Sequence, residues 1–86
     1  MSRYVIRAGM VSRDPAGQPA VWVLEGYEAD ELHHAEMFRN LLFNTHKGRT
    51  GDNLLLVGIA DTISGASVSE WIVQRGQIVS KSEAGA

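Results

Sequence analysis

Cysteine is absent from the 86 residues. That removes disulfides and thiolate metal sites from the means by which this chain could hold itself together, and it leaves the redox compartment open. A long apolar run is also missing. The longest, Leu54 to Ala60, is seven residues counting Gly58, against the roughly 20 that a spanning helix needs. There is no excess of positive charge: 8 basic residues stand against 10 acidic ones, for a net charge of -2. This is not the balance of a protein that grips nucleic acid over its whole surface. No Asn-x-Ser/Thr acceptor and no lipidation signal occur, and Arg3 leads into an interrupted pattern unlike the apolar core of a secretory leader. The expected location is the cytoplasm, away from membranes.

What is present is a globular composition, 44% hydrophobic, in a length that makes one domain over residues 1–86. A chain of this size buries only roughly 60% of its extended surface. Small domains close that gap with disulfides, a metal or association. With cysteine gone, association is the aid that remains.

Periodicity orders the elements. Arg3 to Val11 alternates as a strand, with Tyr4, Ile6, Ala8 and Met10 on one face and Val5, Arg7, Gly9 and Val11 on the other. Ser12 to Pro19, with Asp14-Pro15 and a closing Gly17, is turn chemistry. Ala20 to Glu25 follows as a second strand, apolar on both faces and hairpin-paired to the first. Glu28 to about His46 reads as a helix, with acids at its start, His46 and Lys47 at its end, and Gly48 as the residue after the cap. Its apolar arc spans roughly 240° on a helical wheel, more than twice what one sheet face covers, so a second contact is expected. Leu54 to Ala60 is a third strand of the central, twice-covered kind. For the last third, a hairpin of Glu70 to Gln74 and Gln77 to Ser80 about Arg75-Gly76 is preferred, because Trp, Ile and Val favour strands. The competing reading caps a short helix with Ser67-x-x-Glu70. Residues 81–86 are expected to fray. The fold class is α+β: a mainly antiparallel sheet of four to five strands with one long helix on one face, in the order β-β-α-β-β-β.

No motif carries strong chemistry. His33 and His34 are adjacent on the helix and should point about 100° apart, so they are not expected to share an ion. Asp30 and His34 form an i,i+4 polar pair with no nucleophile beside it. His46 is three turns away, roughly 18 Å. The loop from His46 to Asp52 offers His46, Lys47 and Arg49 to an anion or to nucleic acid, with Arg75 joining, yet it lacks P-loop spacing and leads into a strand. Ser64, Ser67 and Ser69 have neither an elbow motif nor a base. No catalytic residue, metal or cofactor is expected. The surplus apolar surface instead points to a non-enzymatic protein–protein interaction module, an adaptor, inhibitor or regulator, binding another protein or a second copy of itself. The interface candidates are His34, Met37, Phe38, Leu41, Phe43 and Trp71, although for Trp71 core packing is somewhat favoured over an interface role. The competing functions are a nucleic-acid module built on residues 46–49 and a small-molecule or enzyme pocket near His34.

Overall fold

The computed structural model describes residues 2–13 and 15–83. Five strands and one helix follow in the order β1 (Tyr4–Arg13), β2 (Pro19–Ala29), α1 (Leu32–His46), β3 (Leu54–Asp61), β4 (Ser67–Gln74) and β5 (Gln77–Glu83). The strands form one sheet in the order β2-β1-β3-β4-β5, every neighbouring pair antiparallel. β2 and β3 therefore run in the same direction on either side of β1. The connection between them carries α1 back across one face of the sheet, as the expected α+β class requires.

The alternation in each strand decides which side meets the helix. Tyr4, Ile6 and Ala8 of β1, Leu55, Val57 and Ile59 of β3, and Trp71 and Val73 of β4 point under α1 and are buried. From α1 itself the buried set is Ala35, Arg39, Leu42 and His46, a narrow stripe at i, i+4, i+7 and i+11. Packing of that stripe holds the helix, because a helix of 15 residues is marginal alone.

Several boundaries differ from the sequence reading. Glu28 and Ala29 are not helical: β2 continues to Ala29, opposite Tyr4 of β1, and the ladder outcompetes a helix start. Glu31 is the N-cap and makes no side-chain cap bond. Gly48 follows the cap without positive φ; the left-handed residue of that loop is Gly51, at φ 59. Residues 67–75 take the preferred hairpin, and its first strand begins at Ser67. Arg75 and Gly76 both have positive φ, 52 and 79, the signature of a two-residue type I′ turn. Lys81 to Glu83 belong to β5; residues 84–86 and Asp14 lie outside the described residues. Among the described residues β3 is covered on one face only, and the helix gains no second neighbour. Both surpluses of apolar surface therefore stay on the outside.

Candidate functional site

The sheet face away from α1 is one uncovered apolar surface, and the outer side of α1 with Met37 and Leu41 is another. Pairing across the strands aligns Gly26, Arg7, Gly58, Glu70 and Ser82 in one row. The next row is Val23, Gly9, Leu56, Ile72 and Ser80. Val21, Val11 and Leu54 extend it toward the β1–β2 turn. Val21 and Val23 are 60% and 65% exposed. A shallow depression of about 480 Å³ runs over Val5, Arg7, Gly9, Leu56, Gly58 and Glu70. Its floor is low because Gly9 and Gly58 have no side chains. A Cβ at Gly9 would stand 3.1 Å from the Trp22 carbonyl oxygen, and one at Gly58 3.2 Å from that of Ser69.

Two opposite charges interrupt this face, Arg7 on β1 and Glu70 on β4, one strand to either side of Gly58. Strands lie about 4.8 Å apart, so their Cα atoms are separated by roughly 10 Å. Among the described residues neither side chain has a hydrogen-bond or ion-pair partner. Neither reads in the sequence as a site residue; Glu70 figures there only as a strand start or a capping residue. Arg7 shares the phase of Val5 and Val11 but also that of Arg3 and Arg13, so in the sequence it reads as part of a solvated face.

The interface candidates read from the helix divide into two groups. His34, Met37, Phe38 and Leu41 line a depression of about 760 Å³ with Glu28, Asp30 and Glu31. Met37 and Leu41 are exposed, whereas Phe38 is half-buried and stacks on Tyr27 with ring centroids 4.7 Å apart. Phe43 and Trp71 lie elsewhere. Trp71 is only 7% exposed and is a core residue, placed under the helix by the inward phase of β4. Burying an aromatic of this size is worth roughly 4 kcal/mol at about 25 cal/mol per Å². Phe43 meets it edge-on at 5.8 Å, the Arg39 guanidinium lies 4.0 Å over its ring and the Lys81 ammonium 4.8 Å. The indole N–H donates to Glu83 Oε1 at 3.3 Å, and Arg39 donates to Ser69 Oγ at 3.1 Å. Arg39 thus bridges α1 to β4, and it too went unread in the sequence.

The basic loop is partly assembled. Lys47, Asp52 and Arg75 share one depression with Gly48, Gly51 and Gly76. Arg75 is already bonded to Asp52, at 3.1 and 3.2 Å. Lys47 sits 5.3 Å over the Phe43 ring. Arg49 is exposed, and its backbone N–H donates to the His46 carbonyl. His46 turns inward: it is buried, its Nε2 makes no hydrogen bond, and Glu25 Oε2 lies 3.7 Å away. These four residues do not converge on one point.

The histidine pair departs from expectation. The carboxylate beside His34 is that of Glu31, whose Oε2 lies 3.9 Å from His34 Nδ1 and 3.3 Å from His33 Nε2. The two rings are not splayed; their centroids are 4.1 Å apart. Side chains in the first turn lean toward the helix N-terminus, and there the extended Glu31 meets both. Of the serines, Ser64 Oγ accepts the Ala66 N–H and Ser69 holds Arg39.

No family model, curated protein or solved structure matches this chain. No helix among the described residues is long and apolar enough to cross a membrane.

Proposed function

We propose that this chain is a non-enzymatic protein–protein interaction module that acts as a homodimer, two copies packing open sheet face against open sheet face. The observation that carries this reading is the apolar face bearing Arg7 and Glu70, unpartnered, on either side of Gly58. A two-fold axis parallel to β3 sets β1 of one copy over β4 of the other. Arg7 then faces the second copy's Glu70, twice per dimer, and Ile72 faces the space left by Gly9. The match is self-complementary, as an isologous interface demands. Sheets packed this way lie about 10 Å apart and near −30°. Five strands at about 4.8 Å give a face roughly 24 Å wide and about 25 Å long. That is about 1,200 Å² over both copies, the lower bound for a stable interface. A cytoplasmic location belongs to the same proposal, and fractionation of host cells tests it.

Light scattering behind a sizing column tests the dimer. The expected mass is twice the monomer's 9.4 kDa. Arg7→Glu and Glu70→Arg should each give monomers, and the double exchange should restore the dimer. A wild-type monomer at micromolar concentration, or a double exchange no better than either single change, overturns the reading.

A further inference from the structure

We propose that Glu31, His33 and His34 form a three-ligand site for a divalent cation of the zinc class at the start of α1. Among the described residues this is the only group of three or more such side chains whose donor atoms converge, all within 4.8 Å of one another. Zinc bound at about 2.0–2.2 Å by nitrogen and oxygen sets tetrahedral edges of roughly 3.3–3.5 Å. The edge from His33 Nε2 to Glu31 Oε2 is already 3.3 Å, and that from His34 Nδ1 is 3.9 Å. All three side chains are more than half exposed, so small rotations close the rest, and a fourth position faces solvent.

Two charged imidazoles with ring centroids 4.1 Å apart would repel each other across a single carboxylate. A shared cation, with both rings neutral, satisfies all three groups together. The Glu31 carboxylate is free for this role because it makes no cap bond. The helix N-terminus opposes a cation, but Glu28 and Asp30 border the same depression as Glu31 and His34 and offset that field. Two imidazoles and one carboxylate select zinc, copper or nickel over calcium or magnesium, which take oxygen sets. The site lies on the helix, apart from the open sheet face, so it stands or falls independently of the dimer.

Calorimetric titration of the untagged chain with Zn²⁺ tests it. The expected result is one saturable site per chain. His33→Ala and His34→Ala should each weaken it by roughly tenfold or more, since even the loss of a supporting partner costs about that much, and His46→Gln should leave it unchanged. Circular dichroism confirms that the exposed substitutions keep the fold. No saturable binding, full affinity in either alanine variant, or loss in His46→Gln overturns the site.

Discussion

Asp61, buried at the end of β3, holds the β3–β4 turn through several bonds at once. Its Oδ1 accepts the Ile63 N–H at 2.9 Å, its carbonyl accepts the Gly65 N–H, and its Oδ2 meets Arg3 at 3.2 Å. The backbone N–H of Ile63 leads the causes that hold its carboxyl below the ordinary 3.8, burial works the other way, and Arg3 adds to the lowering. A carboxyl with a depressed folded pKa contributes stability above its unfolded value and loses it as pH falls through the folded one. Denaturant midpoints should therefore decline as pH drops below about 4, and Asp61→Asn should flatten that decline while lowering stability at neutral pH. An unchanged acid slope in the variant would place the transition on other carboxyls. Arg39 teaches a related lesson. A helical arginine looks solvated in a sequence, yet its stem and guanidinium fill the gap between α1 and β4.

At the scale of elements, the β4–β5 hairpin settles how much apolar surface remains. A helix from Ser67 could have folded Val68, Trp71 and Ile72 over the open face. The strand wins because Ser69, Trp71 and Val73 alternate inward against Ile59, Val57 and Leu55, and that pairing buries all three. The turn bears one cost, a non-glycine residue at φ 52. Asn-Gly is the preferred pair for this turn type, so Arg75→Asn should raise stability by about 0.5–1 kcal/mol, measured by urea unfolding. The lost contact with Asp52 joins two exposed groups and weighs little against it. A bulge at Leu24 shifts the register between Ala8 and Gly9. Such irregularity twists an edge and discourages further strands from adding to β2, which favours association through the face over association through the edge.

The whole molecule carries more surface than its mass requires. A 9.4 kDa monomer exposes about 5,000 Å² by general scaling, and this chain exposes 5579 Å². Its radius of gyration is 12.9 Å where about 12 Å is usual. If a second copy covers the open face, the melting temperature should rise with protein concentration; scans from about 1 to 100 µM check this, and a constant value argues for a monomer. By itself the sequence determined most element types, the strand phases and the surplus of apolar surface, because periods of 2 and 3.6 residues are local properties of the backbone; for residues 67–75 it left strand and helix both open. The helix start at Leu32, the core place of Trp71, the inward turn of His46 and the meeting of His33, His34 and Glu31 were decided only by tertiary structure. Each depends on which strand lies beside which, and on how far a long side chain reaches. Arg7 and Glu70 show this most plainly. They are 63 positions apart in the chain, and the sheet order alone sets them on either side of Gly58.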